Sequence, residues 1–206
     1  MEWATKDKLL NPKYFETSMA LHTFETLYGT PIHDSVHYTR RFEYPWVYSN
    51  LPLSGDILDV GAGATAFQVL VSQKAAVTSI DVDTAAVHWV NQLSTVFMSA
   101  NKVKSIIGGF PKLPFADKQF DSSYCISVLE HLPKTETLQN INELRRVTRG
   151  KCFITMDVSI GPCDRQVDLS DFNNIAKNLF RVPSIPNDAI TFVIDGYTFA
   201  VACIIL

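Results

Sequence analysis

The chain has no CxxC pair, no long apolar run, no internal repeat and no surplus of positive charge. Each absence closes off a class of function. The four cysteines, Cys125, Cys152, Cys163 and Cys203, are scattered. That reads as reduced thiols of a cytoplasmic protein rather than a disulfide framework or a zinc site. No apolar h-region follows Met1-Glu2-Trp3-Ala4, so no secretory leader is expected. The apolar tail Phe199 to Leu206 is far shorter than the roughly 20 residues a membrane span needs. It reads as a buried strand, and no membrane partner is expected. A formal charge of -3 argues against nucleic acid as a main partner. What remains is ordinary globular material. The 206 residues are 47% hydrophobic and 19% charged, enough to bury the core of one domain over residues 1–206.

The hydrophobic pattern divides that domain into an N-terminal helical cap, residues 1–50, and an alternating core, residues 51–206. Tyr14 to Leu27 is predicted helical, with Phe15, Met19, Phe24 and Leu27 at helical spacing. Gly29-Thr30-Pro31 breaks it, and Ser35 to Ser49 forms a second helix or looser segment interrupted by Pro45. From Asp56 the periods alternate. Strands are predicted at Asp56–Val60, Ala76–Ile80, Val103–Ile107, Phe120–Ile126 and Cys152–Met156. Helices are predicted at Ala64–Gln73, Asp83–Met98, Thr135–Thr148 and, capped by Ser170, up to Leu179. Ile190–Ile194 and Tyr197–Ile205 flank Asp195-Gly196, a strong signal for a type I′ hairpin. The alternation implies a mostly parallel α/β sheet covered on both faces, closed by antiparallel strands.

The chemistry concentrates in Ile57-Leu58-Asp59-Val60-Gly61-Ala62-Gly63-Ala64-Thr65. An apolar strand ends in an acid and enters a glycine turn, and a helix follows. Gly61 and Gly63 lack the Cβ atoms that would keep a ligand off the backbone, and the helix start offers free N–H groups. Two cofactors compete for such a turn. Gly61-x-Gly63-x-x-Ala66, with Asp81 20 residues after Gly61, satisfies the dinucleotide pattern of an NAD(P)-dependent oxidoreductase or epimerase. Asp59, two residues before the first glycine, would repel a pyrophosphate and favour a cofactor carrying an ammonium and a sulfonium. No Tyr-x-x-x-Lys pair supports the oxidoreductase.

Further motifs follow in order: Leu113-Pro114-Phe115, Phe120-Asp121, Val128-Leu129-Glu130-His131-Leu132, Arg145-Arg146-Val147 and Gly150-Lys151. Together with Asp59-x-Gly61-x-Gly63 and Ile80-Asp81, this series resembles the class I S-adenosylmethionine (SAM)-dependent methyltransferases, specifically the type 11 group of small-molecule methyltransferases, over roughly residues 55–158. The resemblance implies a Rossmann-like fold with a seven-stranded, mostly parallel sheet and an antiparallel C-terminal hairpin. It implies SAM as cofactor, S-adenosylhomocysteine as product and a small-molecule methyl acceptor. Carried over, Gly61, Ala62 and Gly63 pass beneath the methionine part, and Asp59 stands beside it or satisfies the loop. Asp81 accepts from both ribose hydroxyls, and Val82 packs on the adenine. Gly109 and Phe110 meet the base, and Cys125, Ile126 and Ser127 line the floor near the methyl group. The chain departs from the family pattern at Thr65, where a third glycine is usual, and at Gly109, where an acid is common.

Catalytic residues are not identifiable from the motifs. Glu130-His131 is the one acid/base pair in the series, with His131 a weak candidate, and methyl transfer to a good nucleophile needs little beyond alignment. Bland readings stand beside the others. His33 and His37, four apart, are a poor metal pair beside Pro31, so no metal is expected. Pro162-Cys163 reads as an ordinary loop. Tyr38 to Trp46, rich in aromatics and containing Arg40 and Arg41, is either a lid shaping an acceptor pocket or a helix packing its aromatics on the sheet. The short stretch before the final hairpin implies an open site, a large acceptor, or a partner subunit such as a homodimer. A SAM-binding protein without turnover is the remaining alternative.

Overall fold

A computed structural model describes residues 1–28, 39–52, 54–97, 102–164, 166–177 and 179–206, with side chains omitted at 24–28. His33, His37, Pro31, Tyr38 and Met98, and the side chains of Phe24 and Leu27, therefore lie outside the described residues.

The alternation builds the sheet expected of it. The strands are β1 (Glu2–Trp3), β2 (Asp56–Val60), β3 (Ala76–Asp81), β4 (Val103–Ile107), β5 (Ser122–Ile126), β6 (Cys152–Ser159), β7 (Thr191–Ile194) and β8 (Tyr197–Ile205). Their order is β1-β8-β6-β5-β2-β3-β4, with β7 also on β8. Strands β4, β3, β2, β5 and β6 run parallel, and β8 is antiparallel to β6, β7 and β1. Among the described residues the sheet thus has eight strands, not seven. The extra one is Glu2–Trp3, which is too short to leave a period in the sequence and is held at the edge of β8 through Glu2 opposite Cys203 and Trp3 opposite Ala202. β6, parallel to β5 and antiparallel to β8, is buried along its whole length, as an interior strand covered on both faces must be. The hairpin turn carries Asp195 at φ 51° and Gly196 at φ 83°, the two positive values a type I′ turn requires.

Among the described residues, six α-helices accompany the sheet: α1 (Pro12–Tyr28), α2 (Arg40–Asn50), α3 (Phe67–Ser72), α4 (Thr84–Val96), α5 (Thr137–Val147) and α6 (Leu169–Ala176). α4 is capped by Asp83, whose carboxylate accepts from the Ala85 N–H. α6 is capped by Asp168 rather than Ser170, because the Asp168 carboxylate accepts from both the Ser170 and Asp171 N–H groups. α3 begins at Phe67, three residues later than the sequence pattern predicts. Ala64, Thr65 and Ala66 continue the glycine turn instead.

α2 is the element that ties the cap to the core. Phe42, Trp46 and Val47 are fully buried, and Trp46 meets Phe153 of β6 edge-on at 6.3 Å. Pro45 lies inside this helix and has no N–H for the Arg41 carbonyl, four residues back. The Ser18 hydroxyl of α1 donates to that carbonyl instead, at 3.5 Å. Among the described residues, no helix is long and apolar enough to cross a membrane.

Candidate active site

The parallel strands reverse order between β2 and β5, where an open α/β sheet forms its ligand crevice. The glycine turn opens there. Gly61 takes φ 74° and Gly63 φ 59°, values that most side chains resist. The Gly61 N–H donates to the Ile80 carbonyl at 2.9 Å, and the turn lies so close to the segment after β5 that a Cβ on Gly61 would stand 2.3 Å from Val128 Cγ2.

Asp81 closes the turn from the neighbouring strand. Its Oδ2 accepts from the Gly63 N–H at 2.8 Å, and its Oδ1 accepts from the Asp83 N–H at 2.8 Å. Each carboxylate oxygen can accept again, and the residue is half-buried at the strand end. Val82 follows, 73% exposed, with Gly109 beside it, where a Cβ would meet Val82 Cγ1 at 3.1 Å. Half-buried Phe110 packs at the edge of the core. A carboxylate with spare lone pairs, an uncovered apolar side chain and a bare backbone turn therefore lie side by side. These groups fit a ribose, a base and an aminoacyl chain.

Asp59 faces the other way. It is 3% exposed, and its Oδ2 accepts from Gln68 Nε2 at 2.9 Å, while the same nitrogen donates to the Ala62 carbonyl at 2.8 Å. Burial pushes its carboxyl up to about 7, against the lowering effect of the Gln68 hydrogen bond. Asp59 thus acts on the turn through Gln68, a residue that carries no motif. Thr65 fills the next gap: its Oγ1 accepts from the Phe67 N–H at 3.3 Å and donates to Gln68 Oε1 at 3.1 Å. Cys125 is wholly buried in the core, so only its backbone belongs to the floor. Ile126 is 8% exposed, and Ser127 turns the chain at φ 48°.

Under α2, at the ends of β5 and β6, lies a polar cluster that the sequence does not announce. Glu43 is fully buried. Its Oε1 accepts from Ser127 Oγ at 2.8 Å and from Thr155 Oγ1 at 2.6 Å, and its Oε2 pairs with Arg40. Despite burial, that guanidinium and the two hydroxyls hold the Glu43 carboxyl below its ordinary value. Glu130 Oε1 accepts from the Asp157 N–H at 3.3 Å. The other Glu130 oxygen, Asp157 Oδ1 and Arg40 Nε are buried without hydrogen-bond partners. Burial first, and then the neighbouring carboxylates, push the Glu130 and Asp157 carboxyls up. In the Glu130-His131 pair it is the acid that points inward, while His131 is exposed. Among the described residues, no group of three metal-ligating side chains comes together.

Asp157 gives a test of this cluster. With its folded-state value raised, the native protein keeps a proton that the unfolded chain releases above about pH 4. Stability therefore falls as pH rises from there toward the folded-state value. Asp157→Asn removes the titration. The variant is expected to gain on the wild type progressively between pH 5 and pH 8, by on the order of 1–3 kcal/mol at the upper end. Urea unfolding at three pH values measures it, and a difference that does not change with pH would refute the assignment.

Comparison with known proteins agrees with this geometry. Residues 58–155 match the family model of a methyltransferase domain. Among curated proteins, the chain is 28% identical over 134 residues to O-methyltransferase rstn1 of Aspergillus nomiae, covering 64% of this chain and 57% of that protein. It is 33% identical over 131 residues to O-methyltransferase resE of Aspergillus sclerotiorum, covering 62% and 47%. The chain thus matches about half the length of these relatives. Among solved structures, PH0226 protein from Pyrococcus horikoshii aligns with TM-score 0.62 at 19% identity, over 84% of this chain and 92% of that one. A geranyl diphosphate methyltransferase in complex with SAM aligns with TM-score 0.60 at 10% identity, over 98% and 95%. These structural likenesses establish the fold.

Proposed function

We propose that this chain, whose residues 58–155 match the model of a methyltransferase domain, transfers a methyl group from SAM to an oxygen of a small-molecule acceptor, releasing S-adenosylhomocysteine. The observation that carries the reading is Asp81. Its carboxylate clips Gly63 and Asp83 and keeps lone pairs for a ribose diol at the mouth of the crevice. In this reading Val82 supports the adenine, Gly109 and the backbone of Phe110 border it, and Gly61, Ala62 and Gly63 run beneath the aminoacyl chain. Ile126 and Ser127 form the floor, with the Cys125 backbone behind them. When bound, SAM supplies an electrophilic methyl group on a sulfonium. The chain's own contribution is to hold the acceptor in line with it and to exclude water. The oxygen acceptor is supported by the names of both curated relatives.

A dinucleotide is the poorer fit. Its pyrophosphate would need the open amides of a helix start, but α3 is six residues long and its Phe67 N–H is already taken by Thr65 Oγ1.

Incubation with methyl-tritiated SAM and a panel of phenols, alcohols and carboxylic acids tests the proposal. We expect label in at least one acceptor, released as methanol on hydrolysis of an ester or retained in an ether, with matching S-adenosylhomocysteine. SAM binding without label transfer to any acceptor would support a non-catalytic SAM-binding protein instead.

A further inference from the structure

The cap holds a cavity of about 620 Å³ between α1 and α2, a volume suited to a small organic ligand. Its wall on α1 is mostly apolar, with Tyr14, Phe15, Met19 and Leu21 beside Leu9 from the preceding turn, and also carries Ser18 and His22. Tyr14 is fixed by Phe42, edge-on at 5.5 Å. Phe15 is 65% exposed and Met19 46%, large apolar side chains that the chain leaves uncovered along this wall. The facing wall on α2 carries Arg40 and Arg41.

The two arginines differ. Arg40 pairs with Glu43 and lies 6.0 Å from the Tyr44 ring, yet its Nε is buried with no acceptor. Arg41 is exposed and is in no ion pair among the described residues. Beneath them, Glu43 offsets the charge of Arg40, while burial holds Glu130 and Asp157 toward their neutral forms. Among the described residues, no carboxylate pairs with Arg41 at the cavity. The cavity also adjoins the proposed cofactor crevice. Tyr44 stacks on Phe67, the first residue of α3, at 4.7 Å, and Glu43 accepts from Ser127 at the end of β5.

The geometry points to this cavity as the acceptor site, taking a flat apolar molecule that carries an anionic oxygen group, its body against α1 and its anion at Arg41. This inference rests on the methyltransferase reading for the word acceptor, but the binding it asserts does not. Apolar burial supplies the affinity, and the Arg41 guanidinium selects the anion by charge-assisted hydrogen bonds. A neutral molecule of the same shape gains nothing from the charge of Arg41.

The probe pair is 2-naphthoate and 2-naphthamide, equal in shape and different in charge, titrated into the full chain with and without S-adenosylhomocysteine. Naphthoate is expected to bind about tenfold more tightly than naphthamide, and Arg41→Gln to remove most of that preference. Phe15→Ser is expected to weaken both probes about tenfold. Each variant is checked for an unchanged circular dichroism spectrum. Equal affinity for the two probes, a preference that survives Arg41→Gln, or no naphthoate binding at millimolar concentration would each overturn the inference. S-adenosylhomocysteine binding without naphthoate binding would leave the methyltransferase reading standing. Naphthoate binding without S-adenosylhomocysteine binding would do the reverse.

Discussion

Asp81→Ala is expected to weaken S-adenosylhomocysteine binding by about 100-fold, the loss of two hydrogen bonds to a charged acceptor, while the sheet stays folded. Two effects combine. The variant loses the carboxylate proposed to accept from the ribose. It also frees the Gly63 and Asp83 amides that this carboxylate holds, so the turn loses the clip that gives it shape. Asp81→Asn separates them, because an amide offers one accepting oxygen instead of two. It is expected to lose about tenfold, since one amide clip or one ribose bond can still be made. Calorimetric titration with circular dichroism alongside measures both. Alanine binding within about threefold of wild type, less than one such hydrogen bond, would show that Asp81 has no part in holding a cofactor.

Gly61→Ala is expected to destabilise the fold by about 2–4 kcal/mol, from a left-handed backbone and an overpacked contact together. The methyl group would stand 2.3 Å from Val128 Cγ2 at a residue with φ 74°. Val128 is β-branched and cannot swing aside by its far end. The double variant Gly61→Ala/Val128→Ala should recover the steric share and keep the backbone share of about 1–2 kcal/mol. Denaturant midpoints of the four proteins make the comparison. A Gly61→Ala variant as stable as wild type would mean that the turn does not pack against the segment after β5.

The parts of this molecule that were legible in the sequence are those that repeat or that need a particular backbone. The alternation of periods from Asp56 onward gave the parallel sheet its strands, and Asp195-Gly196 gave the closing turn, because only a few residue types accept two positive φ values. Glu2–Trp3 was not legible, since two residues carry no period and β1 exists only because β8 offers it an edge. Within the site, the glycines and Asp81 stand in a recognisable order. Gln68, which joins Asp59 to the Ala62 carbonyl, stands in none. Glu43 carries no motif and is fully buried. Arg40, three residues before it, is the one local signal of that pair. Asp157 had a better signal, an acid inside the apolar run Cys152 to Val158. An acid in a fully buried strand costs too much to be incidental. The cluster depends on β5, β6 and α2 meeting, a tertiary fact that no single stretch of chain states.

The central claim is that the crevice at the ends of β2, β3 and β5 holds an adenosyl cofactor. Isothermal titration of the intact chain with S-adenosylhomocysteine, with NAD as control, tests it most directly. The account predicts one site of micromolar affinity for S-adenosylhomocysteine and no heat with NAD. Binding of NAD alone would contradict it.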